Sequence, residues 1–128
     1  MSPQKLSANL PTRRSTCPIA SALDLVGDKW SMLLIRDIGL FRKHRNKDFQ
    51  SAAEKIPSNI LADRLKRMTA YGLLNKKLYQ KHPPRYEYHL TREGAALLPV
   101  VRELAKWSAD NLADVRIPGT VKAFAPED

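Results

Sequence analysis

Apolar residues recur at helical spacing in the first half of this chain, alternate in a short central stretch, and return to helical spacing near the end. Ile19, Leu23 and Val26 mark a first helix, opened by Pro18 with Cys17 as its cap and closed by Gly27. Asp28 caps a second, whose apolar face is Trp30, Leu33, Leu34 and Ile38 and which ends at Gly39. Asn46 is placed to cap a third, with Phe49, Ala52, Ala53 and Ile56 inward and Pro57 as its stop. Ser58 caps a fourth, in which Leu61, Leu65 and Met68 face inward and Gly72 marks the end. On this reading the third and fourth helices are joined by a very short turn, as a helix-turn-helix requires.

Alternation then replaces the helical period. Leu74, Lys76 and Leu78 share one face of a strand, and Tyr86, Tyr88 and Leu90 share one face of the next. Between them lies the basic, proline-containing loop QKHPPR. Thr91 caps a last helix, with Glu93 in its first turn, where the helix dipole favours an acid. Leu97, Val101, Leu104 and Leu112 form a long stripe there, joined by Leu98, Ala105 and Trp107, and Pro99 is expected to kink or delay the helix. This order predicts a mainly α fold with a small β-ribbon (α+β), a winged helix-turn-helix.

Residues 1–16 contain Pro3 and Pro11 and carry Lys5, Arg13 and Arg14 without any acid, so they read as a flexible basic arm. Residues 17–114 form the domain, and residues 115–128 read as a flexible, polar, proline-containing tail. A chain of 128 residues suffices for one modest core. No apolar run approaches the ~20 residues of a membrane span, so no membrane partner is expected. The stretch MSPQKLSANLPTRRST has no apolar core and does not read as a secretory signal. The single cysteine, Cys17, excludes an internal disulfide. Together these features favour the cytoplasm.

A net charge of +9 suits an anionic partner, and the placement of the cations says which. The fourth helix has an outer face of Asn59, Ile60, Asp63, Arg64, Lys66 and Arg67. In a winged helix-turn-helix its first turns enter the major groove of double-stranded DNA. Asn59 has the chemistry to read adenine and Arg64 to read guanine. Ser58 and the neighbouring backbone N–H groups can meet a phosphate. Ile60 and Arg67 complete the expected contact surface, with Asp63 orienting Arg64 or Arg67. The competing reading is an ordinary solvated face, and for Arg64 an ion pair with Asp63 or a neighbouring helix.

The loop offers Lys81, His82 and Arg85 around Pro83 and Pro84, whose stiffness lowers the entropy lost when the cations meet phosphate or a narrow minor groove. A merely stiff, soluble hairpin is the alternative. In FRKHRNK, the residues Arg42, Lys43, Arg45 and Lys47, with His44, are placed to hold the DNA backbone without reading sequence. A solvated charge run competes with that reading. Cys17 sits at a helix N-terminus with Arg13 and Arg14 nearby, surroundings in which a thiol becomes open to oxidation or alkylation. The alternative is a small buried hydrophobe. Cys17, His44, His82 and His89 lack short metal-ligand spacing, so neither metal nor cofactor is expected. There are no paired carboxylates, no nucleophile–base set and no glycine-rich phosphate loop, which argues against an enzyme.

Four segments carry a resemblance: CPIASALDLVGDKWSMLLIRDI, KDFQ, IPSNILADRLKRMTAYGLL and PPRYEYHLTREGAALLPV. With the region of Trp107 they cover most of residues 17–111. Cys-Pro, Gly-x-Lys-Trp, Leu-x-x-Arg-Leu and Pro-Pro-Arg-x-Glu-Tyr at these spacings resemble the HxlR family of bacterial transcription regulators. The resemblance implies a homodimer that binds a palindrome-like operator, often near its own gene. It also implies a possible oxidant sensor, since some such regulators use a cysteine at the position of Cys17. The chain departs from the family in its more basic FRKHRNK segment and in the arm and tail. The stripe of the last helix is longer than one small core needs, so Leu97, Val101, Leu104, Trp107 and Leu112 are expected to meet a second copy, together with the first helix. A small-molecule effector between that stripe and the first helix stays open, as does the reading of a protein–protein adaptor with sequence-blind DNA affinity.

Overall fold

The computed structural model describes residues 5–7 and 9–116. Four helices come first: α1 (Pro18–Val26), α2 (Ser31–Gly39), α3 (Asn46–Gln50) and α4 (Ser58–Ala70). The strands β1 (Leu74–Gln80) and β2 (Arg85–Leu90) follow, then α5 (Arg92–Ala95) and α6 (Leu98–Asn111). Leu61, Leu65 and Met68 fall on one side of α4 at helical spacing and are fully buried. They close on Leu34, Ile35 and Ile38 of α2, on Phe49 of α3, and on Leu73 and Leu74 where the ribbon begins. Val101 is the buried contribution of α6. This is a mainly α winged helix with a two-stranded antiparallel sheet.

The ribbon pairs Leu74 with Leu90, Lys76 with Tyr88 and Leu78 with Tyr86, so the predicted faces meet across the strands. A bulge interrupts the register between Leu78 and Gln80. Beyond β2, Arg45 bridges to Glu87, and the Tyr88 N–H donates to the His44 carbonyl at 2.8 Å. The basic segment is thereby stitched to the free edge of the ribbon.

The caps differ in detail from their expected places. Asp28 lies ahead of α2, which starts at Ser31, yet its Oδ2 accepts from the backbone N–H groups of Trp30 and Ser31 at 3.1 Å each. Ser58 is the first helical residue of α4 rather than its cap; Pro57 holds the extended cap position without a side-chain bond. Asn46 likewise lies inside α3, with Arg45 at the cap.

Two expected helices are shorter than the apolar pattern suggested. α3 stops at Gln50, residues 51–54 turn and residues 55–57 are irregular, so the connection to α4 is not very short. Lys55 adopts the left-handed region (φ 56°), which turns the chain so that Ile56 still reaches the core while Ala53 is exposed. The last helix is divided. Thr91 Oγ1 accepts from Gly94 N–H at 3.0 Å to cap α5, and α6 starts afresh at Leu98, with Pro99 in its first turn.

Gly72 ends α4 in the left-handed conformation (φ 88°). The Leu73 N–H reaches back to Met68 O at 2.9 Å and the Gly72 N–H to Thr69 O at 3.1 Å, the paired closure of a Schellman motif. Leu6 packs against the core beside this turn, and the Arg14 N–H and Nε donate to the Asp24 carboxylate at 2.9 and 2.6 Å. Leu6 and Arg14 of the expected arm thus have partners on the domain. Of the expected tail, residues 117–128 lie outside the described residues, as do residues 1–4 and 8.

Candidate nucleic-acid interface

The core side of α4 fixes what its opposite side displays. Ser58, Asn59, Ala62 and Lys66 are exposed, and Asn59, Ala62 and Lys66 stack one turn apart. Ile60 is half-buried against the core. Arg67 is exposed and its Nε donates to Asp63 Oδ2 at 3.0 Å. Ala62 was not singled out from the sequence, although the spacing of positions 59, 62 and 66 was there to be read. A methyl group at that place permits close approach to a groove floor.

Arg64 occupies a different flank. Its side chain is only 18% exposed. The Nε donates to Asp28 Oδ2 at 2.9 Å, and Nη1 donates to Asp63. Burial opposes ionisation of Asp28, but hydrogen bonds from Ser31, Arg64 and the Trp30 amide outweigh it and hold the carboxyl below its usual range. Of the alternative for Arg64, an ion pair with Asp63 or a neighbouring helix, the pair with Asp63 is present, and the second partner, Asp28, lies in the turn between α1 and α2.

The wing tip carries Lys81, His82 and Arg85, all exposed. Lys47 and Arg85 line a concave strip between the start of α3 and the wing, with Asn46, Tyr79, Tyr86 and Tyr88. This lining holds two cations and no acid. Arg42 is exposed in the left-handed region (φ 55°). Lys43 is held by its N–H to Asp37 O at 2.9 Å, with its ammonium 6.0 Å from the Phe41 ring. Arg45 donates to Glu87 at 3.2 Å and lies 3.9 Å over the Tyr79 ring. Among the described residues, Arg42, Lys47, Lys66, Lys81 and Arg85 make no ion pair, whereas Arg45, Arg64 and Arg67 do. The first group is electrostatically uncommitted and faces solvent.

Beneath this surface, Arg36 binds Glu54 at 2.9 Å and the buried Asp37 at 2.8 Å, tying α2 to the turns that precede α4. Burial pushes the Asp37 carboxyl above its usual range despite the Arg36 guanidinium beside it.

Cys17 is exposed at the start of α1. Its N–H donates to Ser15 Oγ at 3.1 Å, and Arg14 is engaged with Asp24 rather than the thiol. The long stripe of α6 divides in use. Val101 is buried and Leu97 packs against the core. Leu104 and Trp107 are 53% and 60% exposed, and Leu112 is exposed too. On α1, Ile19 and Leu23 are 71% and 54% exposed. Among the described residues, no group of three or more His, Cys, Asp or Glu could hold a metal ion, and no helix is long and apolar enough to cross a membrane.

A helix with an uncommitted outer face beside a two-stranded wing with a cationic tip defines the DNA-binding class of winged helix-turn-helix proteins. Residues 25–116 match the model of the HxlR-like helix-turn-helix, and the chain belongs to that family. It is 30% identical over 117 residues to the HTH-type transcriptional regulator YybR of Bacillus subtilis (strain 168), covering 89% of this chain and 93% of YybR. Among solved structures it is similar to the redox regulator HypR in its oxidised form, with a TM-score of 0.65, 29% identity, and coverage of 74% of this chain and 97% of that one. It is also similar to the reduced form of the transcriptional regulator YodB from B. subtilis, with a TM-score of 0.61, 27% identity, and coverage of 80% and 100%. Fold and family together make this chain a DNA-binding transcription regulator.

Proposed function

We propose that the chain binds a palindrome-like operator as a homodimer, with residues 17–114 as the DNA-binding and dimerising unit. The observation that carries this reading is the exposed stripe Asn59, Ala62 and Lys66 on α4, flanked by the unpaired cations of the wing. Asn59 reads a base edge, Ser58 and the first N–H groups of α4 meet a phosphate, and Lys81, His82 and Arg85 hold the backbone or enter the minor groove. Arg42 and Lys47 fix register on the backbone, with Lys43, Arg45 and Arg67 in support.

The homodimer is supported by apolar side chains with no cover in the single chain: Ile19 and Leu23 on α1, and Leu104, Trp107 and Leu112 at the end of α6. Leu97 and Val101, which the sequence also suggested for that interface, serve the core from beneath it. Control by thiol modification is supported by the exposure of Cys17 and by the likeness to HypR, a redox regulator. The test is binding of the reduced protein to DNA from upstream of its own gene, against scrambled competitor at fixed salt. Specific retention is expected. Sequence-blind binding that only salt weakens would favour an adaptor over an operator-binding regulator.

A further inference from the structure

Arg64 shares with Arg67 the side-chain chemistry on α4 best suited to guanine, yet it does not face outward with Asn59 and Lys66. Its guanidinium is spent inside the domain on Asp28, which stands in the turn between α1 and α2. Asp28 is itself fully engaged. It accepts from the Trp30 N–H, the Ser31 N–H and, at 2.5 Å, the Ser31 hydroxyl, so its position is set by the first turn of α2. From there a chain of charges runs through Arg64 to Asp63, and from Asp63 to Arg67 on the outer side of α4.

We propose that Arg64 is a positioning residue: through Asp28 it fixes the rotation and depth of α4 against the start of α2, and Asn59, Ala62 and Lys66 read DNA only in that setting. This deepens the DNA-binding reading and rests on it. Leu61, Leu65 and Met68, with Ile60 beside them, bury one side of α4, but hydrophobic contact is non-directional and fixes the rotation of the helix less sharply than a directed bond. A charge-assisted hydrogen bond from one flank to a fixed carboxylate supplies that direction. A misplacement of about 1 Å is enough to spoil positioned chemistry, so the strut acts on discrimination more than on general affinity for phosphate.

The test uses the full-length protein and a random-sequence DNA library. Wild type enriches a ligand, and its affinity for that ligand and for random DNA is then measured for three variants, with thermal melting as a check on folding. Asp28→Asn leaves every proposed DNA contact in place, and it is expected to lower affinity for the enriched ligand about tenfold with little change on random DNA. Arg64→Met is expected to behave the same way and to weaken preference across the whole site. Arg64→Lys keeps a cation for Asp28 but not the two-pronged donor that reads guanine, and it is expected to restore discrimination. Full affinity in Asp28→Asn, or loss of preference at a single base pair in both Arg64 variants, would overturn the strut and return Arg64 to base reading. Should Asp28→Asn fail to fold, the Lys and Met variants decide the matter alone. If wild type enriches no sequence at all, the operator-binding reading itself fails and the strut with it; enrichment with unaffected variants rejects the strut only.

Discussion

Asp28 serves two elements with one carboxylate, capping α2 and holding Arg64 of α4. Its native pKa lies below the ordinary carboxylate value, so its contribution to stability is fully present above ~pH 4 and is lost as pH falls through the depressed native value. Asp28→Asn is expected to destabilise the domain by about 1–3 kcal/mol at neutral pH. The gap should close in acid, where the wild-type carboxyl is also neutral. Urea unfolding across pH checks this, and a gap that persists unchanged in acid would show that the ion pair contributes nothing. Cys17 stands apart from this network, exposed at the opposite end of α1 from Asp28. Cys17→Ser is therefore expected to leave DNA binding in reducing buffer intact and to abolish any change caused by hydrogen peroxide. A preserved response in a gel-shift titration would remove Cys17 as the sensor.

At the scale of elements, the α4–β1 junction depends on Gly72, whose left-handed backbone closes the helix and whose missing side chain leaves room for Leu6. Gly72→Ala should cost about 1–2 kcal/mol in thermal or urea unfolding, the strain of a side chain in that conformation. The wing makes the complementary prediction for binding. Lys81→Ala and Arg85→Ala should each reduce the slope of log affinity against log salt by about one, with equal loss on specific and random DNA. A change in base preference would assign them a reading role instead.

The elements that the sequence made legible are those set by local spacing and local chemistry. Leu61, Leu65 and Met68 define the buried side of α4, Gly72 its end, and alternation from Leu74 and from Tyr86 the two strands. The early end of α3 was not legible, because Ala52, Ala53 and Ile56 keep a helical pattern beyond Gln50, where the backbone already turns before it reaches the left-handed Lys55. Nor was the commitment of Arg64 to Asp28, a partner 36 residues away that only the packing of α4 against the α1–α2 turn brings within reach. The same holds for Arg45, whose charge is answered by Glu87 from across the ribbon edge. Sequence spacing picks out candidate cations; only the fold separates those held in internal ion pairs, such as Arg45 and Arg64, from those without one.

At the scale of the whole molecule, we propose that two copies present two α4 helices to successive major grooves of one operator. The apolar residues left uncovered on α1 and at the end of α6 support the pairing, and the outward side of α4 supports the reading. The most direct test is a hydroxyl-radical footprint of the reduced protein on the DNA it binds best, at fixed physiological salt. Two protected half-sites related by two-fold symmetry are expected, with centres ~34 Å apart. A single asymmetric footprint, or uniform protection without any boundary, would contradict the proposal.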